Sequence, residues 1–335
     1  MMLISSSVWQ RLNEIGVTLV PVGPDRVELG CAGVRDVFTV VATTAPLHPG
    51  DIAVLTGRHP EACLVIVPTA TSAVRGAVER ANWSLLVGAE QQVEGFLNIG
   101  GRRIAVNGRG AGDRRRGVRP GRVPWGTYTL LRRLVDCPMA TQQELARLVG
   151  ISQPRVSQAL RALGEHGLVC RASTGWQVPD VEQALRWWLR NYPGPGGITT
   201  FWYSLDPPRE QAYAIAALNE HGPAGLAVSG DIAADLLAPW RSPQRAVLYT
   251  RGGLDLTETG FTPAGEEEAT LELTVPRDPG VWAGPDLPGP GAGELPLADP
   301  MQILWDLNRA PGTDVEEAVE RLWNVMLRQQ RGRAA

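Results

Sequence analysis

The stretch TQQELARLVGISQPRVSQALRALGEHGLVCRASTGWQV, Thr141 to Val178, decides how the rest of the chain is read. Thr141 lies three residues before Glu144, the spacing at which a threonine hydroxyl and a glutamate carboxylate cap a helix start reciprocally. Leu145, Ala146 and Val149 follow on one face. Gly150 permits the tight turn that stops this helix. Ser152 stands where a second helix would be capped, and Pro154 falls in that helix's first turn, where backbone donors are free. Val156, Ala159, Leu160 and Leu163 recur at the spacing of one buried helical stripe. Gly164 and Gly167 are read as closing the helix. Leu168 to Cys170 and Trp176 to Val178 are read as two short strands, joined by a turn over Arg171 to Gly175.

Two helices across a tight turn, followed by a hairpin, are the parts of a winged helix-turn-helix in their proper order. The outward face of the second helix holds Gln153, Arg155, Ser157, Gln158 and Arg161. Arginine matches the paired acceptors of guanine, glutamine matches adenine, and serine reaches base edges or phosphate. The helix N-terminus adds a positive dipole that suits phosphate. With Ser152 these residues form the expected major-groove set, and Arg171 and Thr174 of the wing are placed for phosphate or the minor groove. Double-stranded DNA is the expected partner. The alternative is a helical hairpin used only for packing or protein contact.

Charge distribution agrees with the first reading. The chain has 335 residues and a net charge of −3, and all of its 32 basic side chains are arginine. From Arg102 to Val178 fourteen arginines face four acids, a balance of +10, so the remainder carries −13. A basic middle between acidic ends puts a nucleic-acid footprint in the middle. The absence of lysine points to a GC-rich genome. It also excludes a phosphate-loop lysine, a Schiff-base lysine and the lysine of a restriction-type nuclease site.

The four cysteines and four histidines show no metal-ligand spacing, which fits reduced structural thiols. No apolar run approaches the length of a membrane span. The first residues lack the basic-then-apolar pattern of a secretory signal. The expectation is a cytoplasmic protein with no membrane association, no cofactor, no metal and no catalytic role.

The length allows several domains, and an α/β multi-domain chain is expected. Residues 1–106 read as an N-terminal α/β domain. A short helix runs through Leu12, and strands cover Arg26 to Leu29, Val37 to Ala42, Ala62 to Pro68 and Trp83 to Val87. The apolar run Ala62 to Pro68 is read as a central strand. Thr71 or Ser72 caps a helix to Ala81, and a hairpin turns at Gly100-Gly101. This layout resembles the degenerate restriction-endonuclease-like domains that precede winged helices in some bacterial regulators. The central strand, however, ends without the acids and lysine of a nuclease. Residues 107–122 (NGRGAGDRRRGVRPGR) form an Arg/Gly-rich linker. Arg114, Arg115 and Arg116 would act either as a basic arm on DNA or as part of a solvated tether. Residues 123–192 form the winged helix-turn-helix, with a first helix from Trp125 and a last one from Asp180. The last helix is expected to pack on its own domain or to contact a second copy in a homodimer.

Residues 198–331 read as a C-terminal α/β domain beyond the break at Pro193 to Gly197. Its segments VSGDIAADLLAP (Val228 to Pro239) and LADPMQILWDL (Leu297 to Leu307), followed by a final helix, resemble the AbiEi family. These are winged-helix antitoxins of type IV toxin–antitoxin systems. The resemblance spans about residues 125–328. It implies repression of the protein's own operon and a C-terminal domain that counters a nucleotidyltransferase-like toxin. It also implies a degenerate nucleotidyltransferase-like fold, since the paired acids of a working transferase are missing: Ser229-Gly230 is reversed, and Asp255 and Glu258 are distant and wrongly spaced. In the final helix, capped by Asp314, Val315, Ala318, Leu322 and Val325 are expected to face inward.

Overall fold

In the computed structural model the described residues are 4–88, 93–106, 125–137, 139–219, 225–256, 259–282, 295–312 and 314–334. Helix α1 (Ser6–Glu14) opens the chain, with the Ser5 hydroxyl accepting from the Val8 amide. Three strands follow as an antiparallel meander: β1 (Thr18–Gly23), β2 (Arg26–Cys31) and β3 (Val34–Ala42). Then come α2 (Pro49–Arg58), β4 (Cys63–Val67), α3 (Ser72–Arg80) and β5 (Ser84–Val87), and finally the hairpin β6 (Glu94–Ile99) and β7 (Arg102–Val106). The seven strands pair in chain order, with β3–β4 and β4–β5 parallel and every other pair antiparallel. The apolar run is indeed the central strand. Its Cys63, Val65 and Val67 pack under α2 and α3, while Leu64 joins the core on the α1 face. The hairpin turns at Gly100 and Gly101, both at positive φ, as a two-residue turn between right-twisted strands requires.

In the middle region α4 (Trp125–Asp136), α5 (Gln142–Val149) and α6 (Gln153–Glu165) pack on one another around Leu130, Leu134, Leu145, Val156, Leu160 and Leu163. Strands β8 (Cys170–Arg171) and β9 (Trp176–Gln177) make the wing, and α7 (Val181–Asn191), capped by Asp180, ends the region. The buried face of α7, with Ala184, Leu185 and Trp188, turns inward toward α4.

The C-terminal region contains β10 (Ile198–Tyr203), α8 (Pro208–Asn219), β11 (Leu226–Ser229), α9 (Gly230–Leu237), β12 (Ala246–Thr250), β13 (Thr262–Pro263), β14 (Leu271–Val275), α10 (Pro300–Leu307) and α11 (Val315–Ala334). Its sheet order is β11-β12-β14-β10-β13, with β12–β14 parallel and the other pairs antiparallel. The inward stripe of α11 is Val315, Ala318, Leu322 and Met326. Val325 is only half-buried, because Met326 stands eleven residues, about three whole turns, beyond Val315, whereas Val325 falls short of that alignment. The Asp314 carboxylate is engaged by Arg241 at 2.6 Å.

The C-terminal region is the hub that both other regions dock on. On one side the Trp9 indole N–H donates to the Phe201 carbonyl at 3.2 Å and the ring meets Trp202 edge-on at 5.1 Å. Gly253 lies so close to the Pro21 carbonyl that a Cβ would sit 1.5 Å from its oxygen. On the other side the Trp125 indole donates to Gly194 O at 3.1 Å, and Tyr192 stacks on Trp188 and meets Trp305.

Between the hub and the winged region lies a buried polar seam. Arg132 of α4 is fully enclosed. It donates to the Gly280 carbonyl, to Gln302 at 3.0 Å and to Asp278 at 3.4 Å, and approaches Asp299 at 3.5 Å. Its guanidinium lies 4.5 Å from the centre of the Trp188 ring. Burial acts to lower its pKa, but Asp299, Tyr192 and Asp278 outweigh that and raise it. The chain of bonds continues from Gln302 to the Tyr249 hydroxyl at 3.0 Å. Tyr249 in turn donates to Asp306, which also accepts from Ser229 at 2.5 Å.

Candidate nucleic-acid interface

The local signals of Thr141 to Val178 produce the expected geometry with a few departures. The Thr141 hydroxyl accepts from the Glu144 amide at 3.3 Å, while the Glu144 carboxylate accepts from the Thr141 amide at 2.7 Å. These bonds hold the Glu144 carboxyl below its usual range. Gly150 adopts the left-handed conformation, φ 69°, so α5 stops and the chain turns toward α6.

Helix α6 buries Val156, Ala159, Leu160 and Leu163, as the period required. On the other side Gln153, Arg155, Gln158 and Arg161 are exposed, and Ser157 is half-buried. Two expectations about its ends are corrected. Ser152 occupies the N-cap position, but its hydroxyl makes no cap bond and the residue is exposed. The first bonds of the turn run from the Arg155 and Val156 amides to the Ser152 carbonyl instead. Gly164 lies inside the helix, and only Gly167, at φ 69°, carries the stop. A mid-helix glycine costs under about 1 kcal/mol relative to alanine, which the buried stripe readily outweighs.

The wing is tighter than the sequence suggested. Ala140 pairs with Trp176 through reciprocal backbone bonds of 3.0 and 2.8 Å, adding a third short strand segment. A Cβ on Gly175 would sit 2.7 Å from the Ala140 carbonyl oxygen, so only glycine fits there. Arg171 and Thr174 are both exposed, and the Thr174 hydroxyl points toward the Met139 sulfur. The structure thus brings Ser152, Gln153, Arg155, Ser157, Gln158 and Arg161 onto one helix, with Arg171 and Thr174 on the adjoining hairpin. Arg114, Arg115 and Arg116 lie outside the described residues.

The electrostatics of this face are one-sided. No acid occurs between Glu144 and Glu165. Among the described residues Arg147, Arg155, Arg161 and Arg171 make no ion pair, so their donors face solvent. Arg147, exposed on α5, was absent from the sequence-derived set. It is the one cation of that helix, and its position could have been found from the helical period. Arg132, counted in the basic middle, is withdrawn from the surface altogether. Among the described residues no group of three or more His, Cys, Asp and Glu is arranged to hold a metal ion. No helix there is long and apolar enough to cross a membrane.

No curated protein and no solved structure matches the chain. Neither the AbiEi resemblance nor the restriction-endonuclease-like and nucleotidyltransferase-like expectations therefore gain a relative. The model of one protein family, described as winged helix-turn-helix DNA-binding, does match, over residues 128–169. That span runs from within α4 through α6 and ends just before β8, and it is a winged helix-turn-helix DNA-binding domain.

Proposed function

We propose that the chain is a non-enzymatic transcriptional regulator that represses by occupying DNA upstream of its own gene. The outward face of α6 carries this reading. It is polar and carries no acid before Glu165 in its last position, on a helix whose other side is fully buried. Arg155, Gln158 and Arg161 read or clamp the major groove, and Ser152, Gln153 and Ser157 support them at base edges or phosphate. Arg171 contacts the flanking backbone from the wing. The buried carboxylates of the hub support a non-catalytic role, because Asp278, Asp299 and Asp306 are already engaged by Arg132, Tyr192, Tyr249 and Ser229. The antitoxin reading of residues 198–331 rests on the sequence resemblance alone.

The test is binding of the full chain to its own upstream DNA, against a scrambled duplex of equal length, over a range of salt. The expected result is a preference for the native fragment that survives moderate salt. Equal binding that collapses with salt would reduce the face to a basic patch.

A further inference from the structure

A second charged surface lies on the outer side of α7. Arg186 and Arg190 stand there as a ridge with a hollow on either side, of about 400 and about 500 Å³. The larger hollow runs between α7 and α11. Leu189 and Trp323 line it with apolar surface, Arg186 and Arg190 form one wall, and Glu316 and Glu320 form the other.

The two walls do not neutralise each other. Arg186 pairs along its own helix with Glu182 at 2.5 Å. Arg190, Glu316 and Glu320 are exposed and make no ion pair among the described residues. Arg186 also reaches over the Trp323 ring of α11, 5.5 Å from its centre, so Arg190 on one wall and Glu316 and Glu320 on the other are the charges of the hollow left without an ion pair among the described residues.

We infer that this groove is a two-fold interface between copies of the chain. A second copy turned end for end sets its arginine ridge into the hollow and against the acidic wall, and receives the first copy's ridge in the same way. Such a patch is complementary to itself, as a two-fold contact requires, and ridge-into-groove packing is how helices meet. Charge complementarity of this kind sets register and excludes wrong partners. The choice of a second copy over another partner also leans on the DNA-binding reading, since one recognition helix spans only a half-site.

The test measures mass without DNA, so its failure and the failure of DNA binding are distinguishable. Sedimentation of the full chain is followed over a dilution series. Wild type is expected at twice the 36.1 kDa chain mass. Arg190→Glu and Glu320→Arg are each expected to weaken the dimer at least about tenfold by placing like charges at both symmetric contacts. An equimolar mixture of the two variants is then expected to dimerise again, because in the mixed pair both contacts join opposite charges. Both sites are exposed in the single chain, so the folded circular dichroism spectrum should match wild type, and any fall in melting temperature relative to wild type should shrink as wild type is diluted, as loss of a dimer contact requires. A monomeric wild type, a single variant with unchanged mass, or a mixture that stays monomeric would overturn the interface.

Discussion

Arg155 and Arg161 stand in solvent on α6 with no ion pair among the described residues, whereas Arg132, two helices earlier, is enclosed by Asp278, Asp299, Gln302 and two aromatic rings. The same side chain does opposite work in one small domain. On α6 the guanidinium leaves its donors to solvent. In α4 it spends them on the hub. Burying a cation is costly, and only surrounding acids and hydrogen bonds offset the loss of water. Net charge counted along a sequence therefore overstates a basic surface wherever an arginine has distant acidic partners. Mutations of the buried arginine act on the fold, and those of the exposed ones on the face proposed to meet DNA.

The largest effect is expected at the seam. Arg132→Met leaves Asp278 and Asp299 buried without their cation, and loss of one partner of a buried pair costs about 3–5 kcal/mol. Chemical denaturation should show that loss. Adding Asp278→Asn and Asp299→Asn should recover part of it, since the uncompensated charges then disappear. A melt identical to wild type for Arg132→Met would dissolve the contrast between the two arginine environments.

A smaller effect is set by pH. Burial pushes the Asp306 carboxyl up to about 6, against the pull of bonds from Ser229, Gln302 and Tyr249. Burial, with Asp306 nearby, pushes Glu272 to about 7. A carboxyl whose folded pKa lies above its unfolded value holds more protons in the folded state. The contribution of these two groups to stability therefore falls as pH rises from about 4 to about 7, by up to about 3 kcal/mol for each, and levels off above that. Asp306→Asn should flatten the lower part of this slope in denaturation series at successive pH values. A slope unchanged by the substitution would place the titration elsewhere.

Much of α6 could be read from sequence because its signals are local. The Thr141–Glu144 box spans three residues and the buried stripe spans seven, so period and spacing suffice. The seam could not be read that way. Arg132 meets Asp278 and Gln302 across 146 and 170 residues, and nothing in the helical period of α4 distinguishes it from a surface arginine. The hub position of the C-terminal region was hidden for the same reason, since Trp9 reaches Phe201 across 192 residues. Two N-terminal elements escaped for local reasons. Strand β1 carries Pro21, which fits only an edge strand, and β1 is an edge. Helix α2 contains Gly50 and Gly57, poor helix formers, and has only Ile52 fully buried.

The finest distinction lies within the exposed set itself. Gln158 projects from the middle of α6, where a side chain can reach a base edge, while Arg171 sits on the wing, where backbone is nearer. Gln158→Ala should weaken the native fragment by about 1–3 kcal/mol and leave random DNA nearly unaffected. Arg171→Ala should weaken both duplexes alike and lower the slope of affinity against salt by about one. Neither change touches the core, so stability should stay within about 0.5 kcal/mol of wild type. Titrations of both duplexes at two salt concentrations separate the outcomes. Equal losses on native and random DNA for Gln158→Ala would mean that α6 clamps phosphate rather than reads bases, and sequence preference would then have to come from DNA shape.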